Sequence, residues 1–188
     1  NKLLVATNQN DILYRAISKG NYEAETVSET ISPSMDIQIA SNFERLIFDL
    51  NYKNSEQTSK DMMKIKEEGK YSIDKEKLNL INQDFLSARM SETETLDVIK
   101  SVYDEFNIVL DPHTAIGYGA FDKHDLNGNN IVLATAHPCK FPDAIQSAIN
   151  IKAELPNELQ FILNEKENYD ILENDINKVK EHIKERSK

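Results

Sequence analysis

Thr135, His137, Cys139 and Lys140 crowd the end of one stretch, Asn130–Phe141, which reads NIVLATAHPCKF. The apolar run Ile131–Ala134 gives way to small and polar residues, then to Pro138 and an amphipathic segment from Phe141 to Ile149. That order predicts a buried strand, a tight turn and a helix. In open α/β sheets, ligands bind outside the carboxyl ends of the strands, which is where Thr135, His137 and Lys140 would lie. A hydroxyl such as Thr135 either makes one directed hydrogen bond in a cleft or satisfies local backbone at the strand end. A second strand, Lys2–Thr7, runs into Asn8-Gln9-Asn10-Asp11 and a helix Ile12–Lys19 closed by Gly20. The Asn8–Asp11 turn is then either a second active edge or a plain capped turn, with Asn10 or Asp11 as the cap. Together the two turns predict a cleft between Asn8–Asp11 and Thr135–Lys140.

Other chemistries find less footing. The four histidines have no ligand spacing and there is no Cys-x-x-Cys, so no metal site is expected. Cys139 follows His137 by two, but neighbours on a turn need not face each other, and a small buried packing residue is the better assignment. Paired carboxylates say nothing in a chain with 32 acidic residues. Gly117 and Gly119, on an expected helix His113–Lys123, have the spacing of close packing rather than of a phosphate-cradling loop.

The elements that must hold these residues are legible in outline. Tyr22–Pro33 reads as an extended loop, and Ser32–Ile37 as a turn. Phe43–Leu50 reads as an amphipathic helix capped by Ser41 or Asn42. Ser55–Gly69 and Asp74–Leu80 read as polar helices, which makes 51–84 a peripheral helical insertion rather than sheet. Phe85–Met90 reads as a strand. Ser91 and Glu94 form a capping box for the helix Thr95–Phe106, with Asn107 as its left-handed end. Asp111-Pro112 is a cap followed by proline at the first helical position. Asp125–Asn130 is turn-rich, and Glu158–Leu163 is a short helix. In the charged tail Tyr169–Ser187, Leu172, Ile176, Val179 and Ile183 recur at helical spacing, as a docked terminal helix or a coiled-coil seam.

Totals narrow the function classes. With 188 residues the chain suits one sizeable domain. A net charge of -10 argues against nucleic acid and anionic membrane surfaces, and no apolar run is long enough to span a bilayer. One cysteine fits a reducing, cytoplasmic setting. Opening almost at once on an apolar strand suggests a piece of something longer.

Four stretches in order, Ala6–Asp11, Ser32–Asp36 with Ser41–Arg45, Asp111–Ala115 and Thr135–Pro142, resemble threonine synthase, a pyridoxal-phosphate enzyme of fold type II. Cys139 stands where the family often has Ala, in keeping with packing. The resemblance is to the C-terminal portion only, beginning just past the phosphate-binding loop; the family's Schiff-base lysine is not among these residues. It implies an α/β fold, part of the three-layer fold type II large domain, with sheet and helices in 1–50 and 85–150, a helical insertion in 51–84 and a helical tail in 151–188. It implies the conversion of O-phospho-L-homoserine and water to L-threonine and phosphate, with Thr135 hydrogen-bonded to the pyridine nitrogen of the cofactor. Asn8 would join Thr135 at the cofactor, while Asn10, Asp11, His137 and Lys140 would edge the substrate. The expected partner is the N-terminal portion of the same enzyme, without which the chain would bind no cofactor and be inactive. Exposed apolar surface would favour self-association. The alternative is a non-catalytic remnant or interaction module that keeps the fold.

Overall fold

A computed structural model describes residues 1–124 and 126–187. Asp125 of the turn-rich loop and Lys188 of the tail lie outside them. The chain divides into two units, Asn1–Glu154 and Leu155–Lys188.

In the first unit, β1 (Leu3–Thr7) lies parallel to β4 (Phe85–Arg89), from Leu3 opposite Phe85 to Thr7 opposite Arg89. The parallel pair needs a crossover, which begins with α1 (Ile12–Lys19). Gly20 ends α1 in the left-handed region at φ 71°. A side chain there would also meet the Ile73 carbonyl, with a Cβ at 2.8 Å. The expected loop after Gly20 starts instead with a strand, β2 (Asn21–Glu23), antiparallel to β3 (Lys70–Ser72). Between them stand α2 (Phe43–Leu50) and α3 (Ser55–Glu68), and α4 (Lys75–Asp84) leads into β4.

The helices of 51–84 are present, but the segment is neither peripheral nor free of sheet. It supplies β3, and it sends Ile65, Tyr71, Ile73 and Ile81 into the same core as Ile12, Ile17, Tyr22, Phe43 and Ile47. Those four apolar side chains need cover, and α1 and α2 provide the complementary stripe. Tyr22 stacks on Phe43 with ring centroids 5.1 Å apart, and its hydroxyl accepts the Ala40 N–H at 2.7 Å. Burial raises the Tyr22 phenol pKa, and the Ala40 bond partly offsets this.

A second, smaller core joins α5 (Glu92–Phe106), α6 (Pro112–Asp122) and α7 (Pro142–Ile149) through Ile99, Ala115 and Ile145. The Ser91/Glu94 capping box forms and Asn107 closes α5 at φ 56°. Phe106, expected to be buried, is 52% exposed. Glycine 119 lies under Met90 and Val98: a Cβ there would sit 2.4 Å from Met90 Cε and 2.8 Å from Val98 Cγ2. Met90 can swing aside, but the β-branched Val98 cannot. Gly119→Ala should therefore cost about 1–3 kcal/mol of stability, measured by urea unfolding.

Lys123 reaches back to the start of α5, donating to Glu94 at 2.6 Å and to the Arg89 carbonyl at 2.7 Å. Lys123 first, and the Ser91 N–H and hydroxyl next, lower the Glu94 carboxyl to about 2. A depressed carboxyl stabilises the fold above its unfolded pKa, near 4.5, and that stability is lost as pH falls toward 2. Both side chains are more than a third exposed, so the contribution is about 1 kcal/mol or less. Urea unfolding of wild type and Glu94→Gln should differ most above pH 4.5 and converge as pH approaches 2.

The largest departure concerns Ile131–Ala134. No strand forms there; Ile131 is 89% and Leu133 75% exposed. A strand is held by backbone bonds to a neighbour, and among the described residues none reaches residues 131–136. The caps also differ in places. Asp11 and Asn42 occupy the N-cap positions of α1 and α2 without a side-chain cap bond, and Asp11 pairs with guanidinium groups instead.

The second unit contains a 3-10 stretch, Asn157–Asn164, where a short helix was expected, and α8 (Ile176–Arg186), capped by Asp175. Leu172 precedes α8, so only Ile176, Val179 and Ile183 of the periodic set lie on it. Arg186 and His182 meet Asp170. No helix among the described residues is long and apolar enough to cross a membrane.

Candidate functional site

Asn8 is buried where β1 ends. Its amide nitrogen lies 2.9 Å from the Thr30 and Ser32 hydroxyls and 2.7 Å from Asp36 Oδ1, and its oxygen accepts the Asn10 N–H at 2.8 Å. Asn10 donates to the Ser28 carbonyl at 2.8 Å and to Asp36 at 2.9 Å, and accepts the Ser28 N–H at 2.8 Å. Asp36 closes the set by accepting the Thr30 N–H at 2.8 Å and the Thr30 hydroxyl at 2.6 Å. The N–H groups of Ser28, Thr30 and Ser32 thus bond to side chains rather than to a ladder, and the 3-10 stretch Pro33–Met35 closes on the backbone, with the Met35 and Asp36 N–H groups on the Ser32 and Pro33 carbonyls. Glu92 adds one more bond, to the Ile31 N–H at 2.9 Å. Asp11 accepts from Arg15 Nε at 2.8 Å and lies 3.5 Å from Arg89.

A second polar cluster is built on the start of α6. Asp111 is 1% exposed. One of its oxygens accepts the backbone N–H of His113 at 2.9 Å, and the other accepts the Thr114 hydroxyl. His113 Nε2 accepts the Ser34 N–H at 3.2 Å. The neutral ring therefore carries its proton on Nδ1, which donates to Asp111 at 3.1 Å. Phe141 packs on the imidazole, with ring centroids 4.7 Å apart. Thr114 Oγ1 accepts the Thr135 N–H at 3.1 Å, and the two threonine hydroxyls are 3.4 Å apart.

Of the residues singled out from the sequence, Asn8 and Asn10 thus lie at one end of a hydrogen-bonded chain and Thr135 at the other. The links are Asp36 with segment 28–36, Ser34, His113, Asp111 and Thr114. His137 and Lys140 lie just beyond Thr135, both exposed; His137 Nδ1 accepts the Cys139 N–H at 3.2 Å. Cys139 is half-buried rather than buried. Among the described residues no group of three or more His, Cys, Asp or Glu side chains is placed to hold a metal ion. A groove between α2 and α3, lined by Ser41, Glu44, Arg45, Phe48, Ser55 and Thr58, contains none of the candidate residues.

Asp36, His113 and Thr114 stood in stretches that carry the resemblance but were given no site role, and Thr30 was not singled out. Asp111 was expected only as a cap. A buried cap followed by Pro, His and Thr puts three further donors beside one carboxylate, and that is the signal that could have found them.

Residues 114–183 match the family model described as "Threonine synthase, C-terminal". A threonine synthase from Pseudomonas aeruginosa is 37% identical over 97% of this chain and 39% of its own length. The Saccharomyces cerevisiae threonine synthase is 36% identical over 98% of this chain and 41% of its own. The crystal structure of PLP-bound threonine synthase from Brucella melitensis superposes with a TM-score of 0.87 and 39% identity, over 99% of this chain and 40% of that one. The chain corresponds to the C-terminal portion of threonine synthase. It has the mixed α/β fold of these enzymes, and it spans about 40% of the length of the threonine synthases it matches.

Proposed function

We propose that this chain forms the C-terminal wall of a threonine synthase site, completed by an N-terminal portion that carries the Schiff-base lysine and the phosphate-binding loop. The complete enzyme converts O-phospho-L-homoserine and water to L-threonine and phosphate. Pyridoxal phosphate, bound in the Brucella relative, supplies the electron-withdrawing ring when present.

The residues here fit one edge of that ring. Thr135 is exposed, its N–H is tied to Thr114, and its hydroxyl lies 3.4 Å from that of Thr114, a distance at the limit of a hydrogen bond. Its proton is therefore free for a better acceptor, and a neutral hydroxyl suits an unprotonated ring nitrogen where a carboxylate would favour the protonated one. That uncommitted hydroxyl is the main support for the proposal. Asn8, beside the cofactor, and Asn10, at the substrate edge, hold segment 28–36 against the end of β1, and Asp11, also at the substrate edge, is held by Arg15 and Arg89. His137 and Lys140, exposed next to Thr135, meet the anionic substrate.

Exposed Ile131 and Leu133 support docking of the N-terminal portion on this segment, since apolar side chains at such exposure gain by being covered. The test is to refold the chain together with the N-terminal portion of the Pseudomonas relative and pyridoxal phosphate. Phosphate release from O-phospho-L-homoserine is expected from the mixture and from neither piece alone. Turnover by this chain alone, or none from a mixture shown by light scattering to form a complex, would refute the proposal.

A further inference from the structure

Residues 131–136 carry Thr135 without any strand to hold it. Among the described residues, no backbone–backbone hydrogen bond reaches this span, and its side-chain bonds all go to Thr114. Thr114 and Gly117 are three apart and so share a face of α6. Gly117 receives Val132, whose Cγ1 would lie 3.4 Å from a Cβ at that position. The same face of α6 therefore grips the segment at Val132 and at Thr135.

The direction of the bonds adds more. The Asp111 carboxylate only accepts, so the Thr114 hydroxyl must give it its proton. Thr114 Oγ1 is then left to present lone pairs, one of which takes the Thr135 N–H. With its proton on Asp111, Thr114 Oγ1 has none to give, so the Thr135 hydroxyl is not held as an acceptor, and at 3.4 Å from Thr114 its own proton is free to go to a better acceptor. We propose that Asp111 and Thr114 are positioning residues for Thr135, fixing its backbone and leaving its hydroxyl free to donate. This deepens the proposal that Thr135 meets a ring nitrogen, because only a donor serves an unprotonated nitrogen.

Amide hydrogen exchange of the 15N-labelled chain, read without pyridoxal phosphate, tests the arrangement. The Thr135 amide should exchange at least about tenfold more slowly than that of its unbonded neighbour Ala134. Thr114→Ser, which keeps the hydroxyl, should preserve the slowing. Thr114→Val and Thr114→Ala should abolish it while the core amides of Ile99 and Ile116 stay protected. Asp111→Asn should leave the slowing in place: the amide can keep its oxygen on the His113 N–H and turn an N–H toward Thr114, whose oxygen still has a second lone pair for the Thr135 N–H. A Thr135 amide that exchanges as fast as that of Ala134 in the wild type, or whose slowing survives Thr114→Val or Thr114→Ala, overturns the proposal. Because no cofactor is present, slow exchange with failed phosphate release would condemn the cofactor role of Thr135 and leave the positioning intact.

Discussion

Asp111→Ala should destabilise the Asn1–Glu154 unit by about 3–5 kcal/mol, a large part of the stability of an ordinary domain. The carboxylate is 1% exposed and accepts from the His113 N–H, the His113 ring and the Thr114 hydroxyl, with the Thr114 N–H at 3.4 Å. Loss of an N-cap side chain alone costs about 0.5–2 kcal/mol. The remaining cost arises because buried donors lose an acceptor that water cannot replace, at about 1–3 kcal/mol for an unsatisfied group. His113 would also lose the partner that fixes its tautomer, which loosens its bond to the Ser34 N–H. Asp111→Asn keeps an oxygen at the cap and should cost less, roughly 1–2 kcal/mol. Urea unfolding at pH 7 should rank wild type above Asn above Ala. A Thr135 amide that loses protection in Asp111→Ala and keeps it in Asp111→Asn would tie the stability effect to the segment at the candidate site.

Asn8→Ala should cost about 2–4 kcal/mol and free segment 28–36 before it unfolds the core. The side chain is 3% exposed and is the contact from β1 to Thr30, Ser32 and Asp36. Its loss leaves the buried Asn10 N–H without the oxygen it now donates to. Exchange of the Thr30 and Ser32 amides should rise first, with those of Ile17 and Ile47, inside α1 and α2, following only near the global transition. Asn8→Asp is the sharper variant. It sets a second carboxylate where an N–H now meets Asp36 at 2.7 Å, and like charges at that distance repel. It should be at least as unstable as Ala at pH 7 and recover in part as the pH is lowered and one of the two carboxyls takes a proton. Equal stability of wild type and Asn8→Ala would reduce the Asn8–Asp36 network to an incidental contact.

What could be read from the residues was local. The Ser91/Glu94 box spans three residues, Asp111-Pro112 two, and the left-handed ends at Gly20, Gly69 and Asn107 one each; all five form as their chemistry dictates. What escaped was decided over distance. β2 and β3 are only three residues each and lack alternation of useful length; they exist because Gly20 and Gly69 turn two remote segments toward each other. The chain linking the two candidate edges joins Ser34 to His113 across 79 positions and Thr114 to Thr135 across 21, beyond any periodicity. The Ile131–Ala134 run misled for a related reason. A string of β-branched and apolar residues states a preference for extended backbone, but a strand also needs a neighbour, and none of the described residues supplies one.

The role of Thr135 is tested most directly by phosphate release from the enzyme reassembled with an N-terminal portion and pyridoxal phosphate, carrying Thr135, Thr135→Ser or Thr135→Val in this chain. Serine keeps the hydroxyl, so turnover should stay within about tenfold of wild type. Valine keeps the shape and removes the donor, so turnover should fall by roughly a hundredfold or more, with the assembled complex intact by light scattering. Valine turning over as fast as threonine in an intact complex would contradict the account.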